Sequence, residues 1–347
     1  MLDFDRSDFL KYLSGFPQQI LDTRELMKNV KVDYSISQFQ NLVIGGMGGS
    51  AIAGDLALAF SREKLPLPAM VIREYDIPVF VNKSTLFIAL SYSGNTEETL
   101  STSQQAIEKG ATLIGISSGG ELENICKKGN YVHIKIPEGY PPRQALGYLF
   151  FSLYYLLDRL GVSIANEADV NETVTLLQEL AGRYDPHLNM GSNLASHIAQ
   201  SIYHAFPVIY TGVPFLYPVP VRWRNQFNEN SKCMAFSNVF PELNHNEIMG
   251  WEGLYEVNKH LRIILLRDPE ETPRMKKRIE ISKEVIRNSR IPLGEIFSEG
   301  SSRLARLFSL IYVGDWASYL LAMLNEKDPI RIDGITYLKE KLSELPA

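Results

Sequence analysis

Three hydroxyls stand close together at Ser91, Ser93 and Thr96, in the stretch Ser91-Tyr92-Ser93-Gly94-Asn95-Thr96-Glu97-Glu98-Thr99. An apolar, strand-like run at residues 85–90 leads into it, and a helical pattern follows. Hydroxyls, a glycine that lets backbone come close, and unpaired amides at a helix start together suit a phosphate ester. The expected ligand is a phosphorylated small molecule. Ser and Thr ahead of Glu97 and Glu98 also resemble a capping box, but capping uses one hydroxyl rather than three. A second turn, Gly45-Gly46-Met47-Gly48-Gly49-Ser50-Ala51, likewise follows a strand pattern and opens a helix. It loosely fits the dinucleotide fingerprint as Gly46-x-Gly48-x-x-Ala51, although the acidic residue expected after the next strand is supplied only ambiguously around Arg73-Glu74, with Pro66 and Pro68 before it. The bland alternative is a glycine turn that packs helix on strand. Ser50 beside four glycines favours a ligand loop, and both turns would project from the carboxyl edge of a parallel sheet into one pocket.

Three further stretches carry groups that can move or stabilise charge. Pro141-Pro142-Arg143-Gln144 sets an arginine on a rigid turn before an apolar helix. Its bland reading is a helix-start cation facing water; its functional reading is a permanent cation for an oxyanion. In residues 222–232 Trp223 and Phe227 share a helical face, and Glu229 sits between Asn228 and Asn230, one turn from Lys232. An exposed Glu229–Lys232 pair would contribute little; a general base held by its amide neighbours is the functional reading. His245, between Asn244 and Asn246, has no second histidine at metal-ligand spacing, so proton transfer is the chemistry open to it and a metal site is not expected. His197 and His204, seven apart in a predicted helix, read as structural.

These groups need elements to hold them. The 347-residue chain is 45% apolar and 22% charged, with a formal net charge of −5. That length predicts two domains, and the charge offers no basic field for nucleic acid. Cys126 and Cys233 match neither a metal nor a redox spacing, which fits a reducing compartment. The N-terminus lacks a signal-peptide pattern, and the apolar run at residues 148–157 is shorter than the roughly 20 residues a bilayer requires. A cytoplasmic protein without nucleic-acid or membrane partners is expected. Apolar spacing over residues 7–30, with Ser7 as cap, predicts an N-terminal helical arm. Short apolar runs at 42–44, 86–90, 112–116 and 131–134, separated by helical segments, predict an α/β fold with a doubly wound parallel sheet. Residues 166–190 read as a connecting helix and linker. Strand runs at 206–212, 261–266 and 296–297 predict a second domain of the same architecture. Val43-Ile44-Gly45-Gly46 and Val208-Ile209-Tyr210-Thr211-Gly212 echo each other, but Arg267-Asp268-Pro269-Glu270 stands where the hydroxyl turn would recur, so only the first half is expected to hold phosphate. The divisions expected are an arm at 1–36, domains at 37–160 and 161–325, and a tail at 326–347 with a last helix at about 337–345.

Taken in order, Gly46-Met-Gly-Gly-Ser50, residues 91–99, Pro141-Pro-Arg-Gln-Ala-Leu-Gly147, Asn228-Glu-Asn230 and Glu242-Leu-Asn-His-Asn-Glu247 resemble the bifunctional phosphoglucose/phosphomannose isomerases, which are built from two sugar-isomerase (SIS) domains. The resemblance runs from about residue 40 to the C-terminus. It implies interconversion of glucose 6-phosphate or mannose 6-phosphate with fructose 6-phosphate, without metal or other cofactor. Gly48, Gly49, Ser50, Ser91, Ser93 and Thr96 would hold the phosphate and adjoining groups. Glu229 would be the base that moves a proton between C2 and C1 through a cis-enediol, and Arg143 would stabilise the enediol oxygens. His245 resembles the ring-opening acid/base, which in this family comes from the other subunit of a homodimer. Lys339 resembles the family's C-terminal lysine near the sugar ring. The family often has a small hydroxyl residue after the tail Asp-Pro; here Ile330 follows Asp328-Pro329. A noncatalytic phosphosugar sensor, a nucleotide-dependent oxidoreductase, or an isomerase of another phosphosugar are the alternatives.

Overall fold

The computed structural model describes residues 2–188 and 193–344. The arm forms two helices, α1 (Leu10–Ser14) and α2 (Phe16–Lys28), which meet at Gly15 and bury Leu13, Phe16, Ile20 and Met27. Ser7 does not cap them. The Asp5 carboxylate accepts from the Phe9 and Leu10 amides at 2.6 and 3.0 Å, since two oxygens can satisfy two unpaired donors at once. The Ser7 hydroxyl instead donates to Asp328 at 2.8 Å, tying the arm to the tail.

The first sheet contains β1 (Asn41–Gly45), β2 (Ala69–Ile72), β3 (Thr85–Leu90), β4 (Thr112–Ser117) and β5 (Val132–Lys135), with crossover helices α3 (Gly48–Ser61), α4 (Glu97–Glu108) and α5 (Gly120–Gly129). All strands are parallel, in the order β2-β1-β3-β4-β5. Strand β3 is buried at every position, which is why it reads as an unbroken apolar run. The order reverses at β1, and Gly45 lies opposite Ala89 of β3. The turns after β1 and β3 therefore emerge side by side, at the crevice where open α/β sheets bind ligands.

The fully buried α6 (Leu146–Leu157) and then α7 (Glu167–Tyr184) lead to α8 (Leu194–Ser201) and the second sheet. Asn166 caps α7 by accepting from the Ala168 amide at 2.9 Å; Met190, the far end of the expected linker, lies outside the described residues. The second sheet contains β6 (Phe206–Thr211), β7 (Phe236–Val239), β8 (Leu261–Arg267) and β9 (Leu293–Phe297), parallel in the order β7-β6-β8-β9. The helices of this half are α9 (Pro218–Ser231), α10 (Tyr255–Asn258), α11 (Pro273–Asn288) and α12 (Arg303–Leu324), followed by α13 (Asp333–Ser343) in the tail. Strand β7 was not expected, because Ser237 and Asn238 break its apolar run, which is tolerable on a sheet edge. His197 lies in α8, whereas His204 lies beyond its end with a positive φ of 60°.

The longest apolar helix is α12 rather than the run at 148–157. By length and composition it could cross a membrane, yet 94% of its most apolar window is buried inside the protein. It packs on α7, α8 and α9, and its apolar side chains join those of α2, α3 and α6 in one continuous core. Removing any fully buried Leu or Phe from this core forfeits about 1.5–3 kcal/mol of transfer free energy before any cavity term. Helix α13, by contrast, is exposed along its described length. Leu345, in the expected last helix, lies outside the described residues. Both cysteines are free thiols, pushed by burial up to about 11.

Candidate active site

Met47 is extended and α3 begins at Gly48 with φ of +48°; a Cβ there would meet open space, so the backbone angle and not crowding calls for glycine. At Gly49 the requirement is crowding. A Cβ would lie 3.0 Å from the Pro142 carbonyl oxygen and 3.1 Å from the Arg143 Cα, so the glycine turn rests directly on the arginine turn. Ser50 is buried, and its hydroxyl accepts from the Tyr92 amide at 3.1 Å, joining the two ligand turns. The Ser50 and Ala51 amides donate to the Met47 carbonyl at 2.9 and 3.1 Å, which leaves the Gly48 and Gly49 amides as the ones at the positive end of α3 that the helix itself does not satisfy.

In the second turn Ser91 is buried and Ser93 exposed. The Ser91 hydroxyl accepts from the Gly94 amide at 3.1 Å and shares a 2.9 Å hydrogen bond with the Thr96 hydroxyl, while Ser93 accepts from the Asn95 amide at 3.2 Å. Thr96 occupies the cap position of α4, but its side chain makes no capping bond. The capping-box alternative therefore does not form; the Ser91 and Thr96 hydroxyls are gathered on one another, and Ser93 stands at the exposed rim of the turn.

Arg143 does not face water. It is 4% exposed, and its Nε donates to Asn230 Oδ1 at 2.7 Å while Nη2 donates to the Pro329 carbonyl at 2.6 Å. Its Nη1 lies 3.3 Å from Glu229 Oε2. Burial holds its affinity for the proton below that of a free arginine, against the pull of the Glu229 charge. The turn itself is clamped by Gln19 of α2, which donates to the Gln144 carbonyl at 2.7 Å and accepts from the Gly147 amide at 3.1 Å. Arg222 donates to the Arg143 carbonyl at 3.0 Å and pairs with Asp315 of α12 at 2.6 Å.

Glu229 lies in the last turn of α9, its side chain 28% exposed. Its amide neighbours do not hold it. Asn230 is turned into the core, where it takes Arg143 on its oxygen and donates to the Ser318 hydroxyl at 2.9 Å; Asn228 accepts from the Ala235 amide at 3.1 Å. Nor does Lys232 pair with the Glu229 carboxylate. Its ammonium donates to the main-chain oxygens of Glu229, Asn230 and Asp328 at 2.8, 3.3 and 3.0 Å, closing the C-terminus of α9 onto the tail. Burial, and then the nearby Arg143, pull its pKa down to about 8. Of the residues singled out from the sequence, Gly48, Gly49, Ser50, Ser91, Thr96, Arg143 and Glu229 are linked in this way, and Ser93 lies in the same turn as Ser91 and Thr96. His245 and Lys339 are exposed and reach none of them.

Sequence reading assigned Asn230 to Glu229 and not to Arg143, and it missed Arg222 and Asp315 as supports of this site. The available signal was Asp315, a lone carboxylate within the apolar run that becomes α12; a fully buried charge needs a partner. At the corresponding edge of the second sheet, Asp268 pairs with Arg306 at 3.0 Å and accepts from Ser298 at 2.6 Å, and Glu271 pairs with Arg267 at 2.7 Å. Carboxylates there disfavour a phosphate.

The arrangement puts a half-buried carboxylate against a buried guanidinium, with gathered hydroxyls and open helix amides one glycine away. A carboxylate so placed can abstract a proton while the cation stabilises the resulting oxyanion. Residues 191–342 match the bacterial phospho-glucose isomerase C-terminal SIS domain family. The crystal structure of a hypothetical protein from Thermus thermophilus shares the fold, with a TM-score of 0.76 at 14% identity over 99% of this chain and 91% of that one. The bifunctional phosphoglucose/phosphomannose isomerase of Caldicellulosiruptor bescii is 41% identical over 95% of this chain and 98% of its own length. That of Thermoplasma acidophilum is 38% identical over 93% and 96%. With likeness of this degree along nearly the whole of both chains, this protein belongs to the bifunctional phosphoglucose/phosphomannose isomerase family.

Proposed function

We propose that this chain is an aldose–ketose isomerase that interconverts glucose 6-phosphate or mannose 6-phosphate with fructose 6-phosphate. The observation that carries the reading is the 3.3 Å Arg143–Glu229 pair, set beside the phosphate-type turns through the Gly49 contact. The substrate phosphate would sit on the Gly48, Gly49 and Ser50 turn and the hydroxyls of Ser91, Ser93 and Thr96. Glu229 then removes the C2 proton of the open-chain aldose. The C2–H electrons form the C1–C2 double bond, the C1 carbonyl oxygen becomes an enediol oxygen, and Arg143 stabilises its charge. A proton passes from O2 to O1, Glu229 returns its proton to C1, and the carbonyl is left at C2; no oxidant or reductant is consumed. Glucose and mannose phosphates differ only at C2, which is planar in the enediol, so one roomy site can serve both.

Ring opening falls to His245, with Lys339 approaching the sugar ring. Both side chains are exposed and take no part in the bonds that join Glu229 and Arg143, which fits a cytoplasmic homodimer in which His245 crosses into the partner's site. The test is incubation with fructose 6-phosphate in chelator, with Glu229→Gln alongside, following glucose 6-phosphate and mannose 6-phosphate separately. Both products from the wild type and neither from the variant are expected. A wild type that makes neither, although fructose 6-phosphate raises its melting temperature, would replace this reading with a phosphosugar sensor.

A further inference from the structure

His245 sits on a segment that packs on the second sheet through two short helical turns, Glu242–His245 and Glu247–Glu252. Its ring is exposed, yet its neighbours are held firmly. Asn244 donates to the Ser282 hydroxyl of α11 at 2.8 Å, and Asn246 donates to Glu242 at 3.0 Å. Glu247, two residues on, is the point where this segment meets the sheet. One carboxylate oxygen accepts from the hydroxyl of Tyr210, a buried residue of β6; the other accepts from the side-chain amide of Asn238 on β7 at 2.5 Å. The Glu247 amide donates to Asn246 Oδ1 at 2.6 Å. The segment is also held by Leu243 and Trp251, which are buried in a cluster with Tyr210 and Phe240, but Glu247 itself lines a cavity of about 470 Å³ with Arg224, Phe236 and Trp251, so its orientation relies on these bonds.

We propose that Glu247 is the positioning residue for His245, fixing the height and orientation at which the segment presents its imidazole. The inference rests on the reading of His245 as the ring-opening group. The chemistry of the anchor is specific to a carboxylate. Both neighbours are donors, Tyr210 through O–H and Asn238 through N–H, and a carboxylate is acceptor-only. Asn238 cannot turn its oxygen toward position 247 without loss, because that oxygen already accepts from the Val239 amide at 2.8 Å. Glu247→Gln leaves shape and volume nearly unchanged but has one oxygen for two donors: with its N–H toward Asn238 it sets one amide donor against another, and with its N–H toward Tyr210 that buried hydroxyl can accept only by turning its own O–H away from the anchor. Asn238→Asp in that background would restore an acceptor opposite the glutamine and keep the Val239 bond.

The experiment compares kcat/KM for glucose 6-phosphate in the wild type, Glu247→Gln, His245→Ala, the double variant of these two, and Glu247→Gln with Asn238→Asp. Misplacing a reacting group by about 1 Å can slow a reaction by up to roughly 100-fold, so Glu247→Gln is expected to lose about 10- to 100-fold. In the His245→Ala background the same change should do almost nothing, because the residue through which it acts is gone. Asn238→Asp should recover most of the loss. An equal loss from Glu247→Gln with and without His245, no loss at all, or no recovery with Asn238→Asp when melting temperatures match the wild type would overturn the proposal. If His245→Ala alone is as active as the wild type, the ring-opening reading itself falls and this inference with it. If His245→Ala is slow but Glu247→Gln is not, only the inference falls.

Discussion

Replacing Asn230 with alanine should separate the support of the site from its chemistry. Asn230 is fully buried and bridges two helices, taking the Arg143 Nε–H on one atom and donating to Ser318 from the other. The Ser318 hydroxyl still donates to the Asp315 carbonyl at 2.7 Å, so that end of the bridge loses little. At the other end a buried guanidinium loses a charge-assisted hydrogen bond, which is worth about 1.5–3 kcal/mol. Over 347 residues, an unfolding entropy of about 2.1 cal/mol/K per residue turns that into a fall in melting temperature of about 2–4 °C. Arg143 would keep its bond to Pro329 and its contact with Glu229, so it stays in the site but loses alignment. Full loss of an oxyanion donor costs about 2.7–4 kcal/mol, and losing half of that lowers kcat by roughly 10- to 30-fold. KM should change little, because the phosphate turns are untouched. The assay is kcat and KM for fructose 6-phosphate alongside thermal melting, with Asn228→Ala as a control, since Asn228 accepts from the Ala235 amide and, among the described residues, does not bond Arg143. If Asn230→Ala melts lower but keeps kcat within twofold of the wild type, the claim that Asn230 aligns Arg143 is wrong.

Two other outcomes are expected. Lys232 holds its proton less tightly in the folded chain, at about 8, than at the ordinary 10.5, so its charged form works against folding and stability is regained as the pH rises from 8 toward 10.5. The melting temperature of the wild type relative to Lys232→Met should accordingly climb between pH 7 and pH 9.5; a flat difference would mean that Lys232 titrates normally. Mixing inactive Glu229→Gln with slow His245→Ala, under conditions that let subunits exchange, should raise activity to about a quarter of the wild type, because each mixed dimer assembles one complete site. No recovery despite demonstrated exchange would show that His245 does not act across the interface.

Local sequence was enough to place the glycine and hydroxyl turns. An unbroken apolar run must be a doubly covered strand, and its hydroxyl and glycine turn must then emerge at the sheet's carboxyl edge, because both properties depend on neighbours within a few residues. Glu229 was legible as a functional candidate for a similar reason, since its setting at the end of a helix follows from the Trp223 and Phe227 spacing. Its companions were not. Whether Asn228 or Asn230 turns inward depends on the rotation of α9 against α12, and Asn230 proved to serve Arg143 rather than Glu229. The water-facing reading of Arg143 failed because its partners lie 87 and 186 residues away in the chain. Likewise α12, apolar all round, has no polar face to reveal what covers it; only its packing on α7, α8 and α9 makes it the core. Sequence by itself determined most of the strands and helices and where the glycine and hydroxyl turns leave the first sheet, because local periodicity and backbone conformation set those. Tertiary structure alone decided which charges are buried together, because desolvation and pairing depend on segments that meet only when the chain has folded.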